Sequence, residues 1–120
     1  MHEEHVYALK TLSDFKKGSV MLEMKGQYVT HEMAKLITAE RKKKPMLIKT
    51  GNKEDSVSAL LIDEQANLAK FIIRSRVGNV RLVRVQSFHS PQGFLRVAVM
   101  AERDISAGEV ILTRDSLSYD

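Results

Sequence analysis

The chain predicts a mainly β domain with minor α, built from many short strands and one main helix near residues 30–44. Three observations carry that expectation. Apolar residues alternate with period two over Val80–Phe88 and Phe94–Ala101, the repeat of half-buried strands. Clusters of Gly, Asn, Asp, Ser and Pro separate these short runs and read as turns. One segment, THEMAKLITAERKKK, places Met33, Leu36 and Ile37 at i, i+3 and i+4, the stripe of an amphipathic helix.

Taken in order, His5–Lys10 alternates weakly and reads as a first strand, with Val6 and Ala8 on one face and Tyr7 and Leu9 on the other. Leu12 to Gly18 is a turn in which Gly18 takes the positive φ that glycine tolerates. Ser19–Met24 is a short strand, Gly26 closes it, and Gln27–Val29 resumes an extended course. Thr30 is placed as the helix N-cap, with Met33 at the position where a capping box carries Glu. Arg41–Lys44 suits a helix C-terminus, and Pro45 marks the stop. Met46–Lys49 is a further strand and residues 51–56 a loop.

Val57–Ile62 rises into the organising stretch of the chain, Asp63–Val80. Asp63 caps a helical turn reaching Lys70, the apolar Phe71–Ile73 forms its centre, and Arg74–Asn79 is a charged turn of the kind where a small β domain exposes chemistry. The alternation that follows puts Val83 and Val85 on one side and Leu82 and Arg84 on the other. Residues 89–93 form a hairpin turn, residues 102–108 a second turn, and Val110–Thr113 a last strand.

At 120 residues the chain is read as one domain, 1–120. Its Met1 start and Tyr119–Asp120 end suit either a small natural protein or a piece excised from a longer one. The absence of cysteine excludes disulfides and thiolate zinc sites. No apolar run approaches a membrane span and MHEEHV is not a signal-peptide pattern, so a soluble, intracellular domain with no membrane partner is expected. His2, His5, His31 and His89 make no metal-ligand set, and no metal is expected. Met21, Met24 and Met33 are assigned to the core.

The formal charge of +4, from 19 Lys and Arg against 15 Asp and Glu, permits an acidic partner without requiring one. The basic residues gather in Arg41, Lys42, Lys43 and Lys44 and in the series Arg74, Arg76, Arg81 and Arg84. A solvated face is the ordinary reading of the first block. Its functional reading is contact with DNA phosphate or with an acidic histone or partner surface, and no interleaved aromatics support base stacking.

Four stretches share an order that goes beyond these local signals. DFKKGSVMLEMKGQYV opens with an acidic turn and KG ahead of an E-x-x-G strand. Ile62–Asp63 is followed by ANLAKFI, then by RSRVGN through Asn79, and AERDISAGE spans Ala101–Glu109. Together they resemble the SET domain, the fold of protein-lysine methyltransferases, whose corresponding motifs read iDa…GNxaRFI, NHSCxPN and AxRDIxxGEELTxDY. The resemblance implies small curved sheets and a C-terminal pseudoknot beside Phe71–Asn79. It also implies S-adenosylmethionine bound on one side, with a target lysine entering from the other through a tyrosine-lined channel.

The departures fall on the residues that such chemistry needs. The Asn-His pair that grips the cofactor corresponds to Ile73 and Arg74. Ile73 makes no hydrogen bonds through its side chain, and Arg74 brings a permanent cation towards the sulfonium. The family cysteine is Arg76 and the proline is Gly78, while Asn79 stays in register, so Ile73, Arg74 and Asn79 are degenerate cofactor positions. The DY pair that supplies a channel tyrosine reads Asp115–Ser116, the glycine-rich opening is absent, and no cysteine-rich closing segment follows. If Arg74 and Arg76 lie inside the fold, they require partners such as Asp63, Glu64, Glu102 or Asp115.

Three functions follow as expectations. The first is a catalytically inactive SET-like module in transcriptional regulation in the nucleus, without cofactor, binding chromatin proteins or a histone tail through Arg41–Lys44, Arg74 and Arg76. Its narrower resemblance, carried by Phe71–Ser75, is to the degenerate trithorax-related SET domains of chromatin co-regulator complexes. The second is an S-adenosylmethionine-dependent lysine methyltransferase with an altered grip, using backbone at Leu9–Leu12 and Tyr28 or Tyr119 at the lysine exit. The third is a basic nucleic-acid-binding domain with steeply salt-dependent affinity.

Overall fold

The structure, a computed structural model, describes residues 8–40, 46–50, 57–62, 68–85 and 95–117. Within them the strands are β1 (Val20–Glu23), β2 (Gln27–Thr30), β3 (Met46–Lys49), β4 (Val57–Ile62), β5 (Ile73–Arg74), β6 (Val80–Val85), β7 (Arg96–Ala101) and β8 (Leu112–Thr113). Helix α1 spans His31–Glu40, and a 3-10 helix spans Leu68–Phe71. A five-stranded sheet runs β1-β7-β6-β8-β5 and a three-stranded sheet β2-β4-β3. The expected class, mainly β with one main helix, is the observed one.

The apolar runs acquire their reason from the layering. Leu60 and Ile62 of β4, with Ile48 of β3, join Val80, Leu82, Val97, Val99, Ile105 and Ile111 in the main core between the sheets. Ala59 and Leu61 of β4, with Leu47 of β3, point to the other face and pack with Val29 and Ala34. A strand covered on both faces reads as a continuous apolar stretch rather than an alternating one, which is why Ala59–Ile62 shows no period.

Helix α1 packs against β2 and β4. Its start is the expected one: Thr30 Oγ1 accepts the Met33 N–H at 3.2 Å, a side-chain cap for one of the free donors of the first turn. Its buried face is not. Ala34 is fully buried and Ile37 packs on the smaller core, while Met33 and Leu36 are 48% and 54% exposed. The small Ala34 lets the helix approach β4 closely, and that turns the two larger residues outward. Met33 is therefore a surface residue, whereas Met24 is fully buried and Met21 packs against the core.

The first expected strand contracts to one bridge, Lys10 with Val110, among its described residues. Leu9 and Thr11 are held by the 106–111 segment: Ile111 N donates to Leu9 O at 2.7 Å, Gly108 N to Thr11 O at 2.8 Å and Thr11 N to Glu109 O at 3.1 Å. Val110 is likewise outside the last strand, which is Leu112–Thr113. β6 and β7 form the expected antiparallel pair, from Val80 opposite Ala101 to Val85 opposite Arg96. Val80 and Leu82 face the core, leaving Val83 half-buried and Val85 exposed on the opposite side. The helical turn before Phe71 is the 3-10 helix, and the proposed Asp63 cap and the 89–93 turn lie outside the described residues.

The final segment is placed by long-range pairing. β8 runs parallel to β5, with Ile73 opposite Leu112 and Arg74 opposite Thr113, and parallel to β6, with Val80 opposite Thr113. It thus lies between β6 and β5, beside the 73–79 stretch.

Candidate functional site

The turn after β5 is built by short-range and cross-strand bonds. Ser75 N donates to Thr113 O at 2.8 Å, and Ser75 Oγ accepts the Val77 N–H at 3.3 Å. Asn79 then clips the turn to the last strand. Its side chain donates to Val110 O at 2.8 Å and accepts the Leu112 N–H at 2.9 Å, while its own N–H donates to Leu112 O at 2.8 Å. Buried and bonded on both ends of its amide, Asn79 works as a structural clip rather than a free ligand group.

Gly78 completes the fit. A Cβ there would meet the backbone N of Arg114 at 3.0 Å and its Cγ at 3.2 Å, so the turn lies directly on Arg114. Beyond β8, Asp115 Oδ2 accepts the Leu82 N–H at 2.7 Å and the Thr113 hydroxyl at 3.0 Å. The carboxylate satisfies a backbone donor of β6 just past the end of β8. Ser116, which follows Asp115, is exposed.

These contacts leave a cavity of about 590 Å³ lined by Arg74, Ser75, Arg76 and Arg114. Arg74 and Arg76 are exposed, so the burial that would have required acidic partners for them is not found. Of their expected partners, Glu102 pairs with Arg114 Nη2 at 2.5 Å and Asp115 is engaged with Leu82 and Thr113. Asp63 and Glu64 lie outside the described residues. The ion pairs among the described residues include neither Arg74 nor Arg76. Ile73 is half-buried in β5 beside β8, contributing no polar group to the cavity.

The other candidates are distributed elsewhere. Tyr28 packs against the main core; burial pushes its phenol above the ordinary range, and the Glu23 carboxylate pushes the same way against Arg96 and the Val97 backbone. Those neighbours sit on β1 and β7, across the five-stranded sheet from β5 and β8, so Tyr28 and the arginine-lined cavity are not brought together. Arg84 is diverted from the basic series, donating to Lys49 O from Nε at 2.8 Å and from Nη2 at 2.6 Å. Arg41, Lys42, Lys43, Lys44 and Tyr119 lie outside the described residues. Arg114 was not singled out by sequence reasoning; its signal was its place beside Asp115–Ser116 in the closing motif.

Among the described residues no cluster of His, Asp and Glu could hold a metal, and no helix is long and apolar enough to cross a membrane.

No family model matches the chain, and no curated protein matches it. Solved structures do. The chain is similar to one solved to explain the product specificity of histone lysine methyltransferases, at 23% identity and a TM-score of 0.73, over 88% of this chain and 44% of that one. It is similar as well to a chain of an active polycomb repressive complex 2 in the basal state, at 22% identity and a TM-score of 0.71, over 88% of this chain and 13% of that one. The chain thus spans less than half the length of either. The fold is SET-domain-like, akin in structure to histone lysine methyltransferases.

Proposed function

We propose that the chain is a SET-fold module of a chromatin regulator that works by binding a partner rather than by transferring a methyl group. The observation that carries this reading is Arg74: at a position where active relatives carry a cofactor-gripping histidine, an exposed guanidinium opens onto a cavity shared with Arg76 and Arg114. A fixed cation there opposes a bound sulfonium. Ile73 supplies no side-chain hydrogen bond, and backbone groups of Leu9 and Thr11, offered as a substitute grip, are engaged by the 106–111 segment. In this reading the domain, residues 1–120, serves within a larger nuclear protein, contacts chromatin proteins or a histone tail, and threads its last strand as a pseudoknot. Its functional analogy in this reading is to the trithorax-related co-regulator SET domains.

A second reading is an S-adenosylmethionine-dependent protein-lysine methyltransferase with an altered grip. The comparisons taken alone lean towards it, because the fold is matched over 88% of the chain by a structure from the histone lysine methyltransferases, and the cavity beside Arg74 is open. One experiment separates the two. Calorimetry with S-adenosylmethionine up to millimolar concentration is expected to give no heat with the natural chain, and histones are expected to stay unmethylated. Micromolar binding would overturn the binding-module reading, and methylation of histones by the natural chain would then establish the enzyme.

A further inference from the structure

We infer that the cavity walled by Arg74, Ser75, Arg76 and Arg114 is a docking site for an acidic peptide segment, whose carboxylates seat on Arg74 and Arg76. The inference rests on the binding-module reading above and names the partner class for that site. Three arginines line one concavity of about 590 Å³, a size that accepts several side chains. Two of them lack an ion pair among the described residues. The third shows what such a guanidinium takes: Arg114 Nη2 already holds the Glu102 carboxylate at 2.5 Å, the charge-assisted contact that arginine favours.

The remaining groups suit a peptide. Ser75 Oγ accepts from Val77 N–H, which leaves its own hydroxyl proton to donate to a ligand carbonyl or carboxylate. Val77, next in the chain after Arg76, is 74% exposed and is an apolar surface beside these residues in sequence. Nucleic acid is the less favoured occupant: none of the described lining residues is aromatic, so they offer no base-stacking platform. Duplex phosphates are met by an extended basic surface, not by cations lining a concavity.

The test is fluorescence anisotropy with a labelled oligoglutamate peptide, an uncharged oligoserine peptide of equal length and a labelled DNA duplex, at several salt concentrations. Oligoglutamate is expected to bind with an affinity that falls as salt rises, and oligoserine is expected not to bind. An Arg74→Ala, Arg76→Ala variant, whose retained fold is checked by circular dichroism, is expected to bind at least about tenfold more weakly. Arg81→Ala, an exposed cation outside the cavity lining, is expected to leave affinity within about twofold. Glu102→Gln releases Arg114 and is expected to tighten binding severalfold, whereas Glu32→Gln on α1 removes the same charge elsewhere and is expected to do nothing.

Absence of oligoglutamate binding, or equal loss in the Arg81 and cavity variants, overturns the assignment. So does a duplex that binds more tightly than the peptide through the same two arginines, which would make the cavity a phosphate site. Calorimetry with S-adenosylmethionine on the same protein separates the levels. Heat there rejects the binding-module reading whatever the peptide does, while silence there together with no peptide binding removes the acidic partner alone.

Discussion

Asp14 and Asp104 each reach into the other's turn: Asp14 Oδ1 accepts the Ala107 N–H at 2.8 Å, and Asp104 Oδ1 accepts the Lys17 N–H at 2.8 Å. The two aspartates open pentads of one design, DFKKG at 14–18 and DISAG at 104–108. The second residues, Phe15 and Ile105, exchange reciprocal backbone hydrogen bonds of 2.8 Å, and the closing glycines have φ of +88° and +92°. The pairing fastens the start of the described chain to the segment leading into β8, and so helps hold Arg114 where Arg74 and Arg76 meet it.

Asp14→Ala and Asp104→Ala are expected to destabilise the domain by similar amounts, about 1 kcal/mol each, because each leaves one exposed backbone N–H to solvent. Gly18→Ala and Gly108→Ala, with open space around the added methyl, are expected to cost about 1 kcal/mol through backbone strain alone. Urea midpoints of the four variants check this. A loss confined to one pentad would show that the two are not equivalent.

Gly26→Ala is expected to be far more damaging. An added Cβ would sit inside contact distance of the Leu61 carbonyl oxygen and carbon and close to the Leu60 side chain, so β2 and β4 must separate. A loss of about 3 kcal/mol is expected, read as a lowered thermal midpoint, while a neutral result would require β2 to be displaced from β4.

Asn79→Ala removes both side-chain bonds to the last strand and leaves Val110 O and Leu112 N without them. The expected cost is about 2–4 kcal/mol, with hydrogen exchange at Leu112 and Ser75 accelerated before that of the β6–β7 pair. Retained protection at Leu112 would show that β8 is held without the clip.

Acid is expected to weaken the β1–β7 edge through Glu23. Burial raises its carboxyl, but hydrogen bonds from Arg96 and Lys25 and the charges of both outweigh it, and the net shift is downward. A carboxylate depressed in the folded state contributes stability above its unfolded value, about 4.3, and loses it as pH falls through the lower folded value. The gap in urea midpoint between natural chain and Glu23→Gln is expected to be largest near neutral pH and to close in acid. A gap independent of pH would assign the effect to packing.

Local physics made much of the fold legible. The Thr30 cap, the positive φ of Gly18 and the alternation of β6 and β7 depend on neighbours in sequence or on a simple period. The helix stripe misled, because Met33 and Leu36 are larger than Ala34 and look more like core, yet a close helix-to-sheet approach selects the small residue. The first expected strand shortened for a related reason: weak alternation does not say whether a partner strand is present, and among its described residues, 8–10, the pairing is one bridge at Lys10. The charged turn at 74–79 was legible from its composition, whereas which of its side chains are exposed was not, since burial is a property of the surroundings.

The sequence by itself determined most element types and the central place of Phe71–Asn79, because propensity and spacing are local. Only the tertiary structure decided that β8 lies parallel between β6 and β5, that Tyr28 stands on the far side of the sheet from the cavity, and that Arg114 joins Arg74 and Arg76. Parallel pairing between residues nearly forty positions apart is set by which edges and cores remain to be covered after the rest has folded, and no local period records that choice.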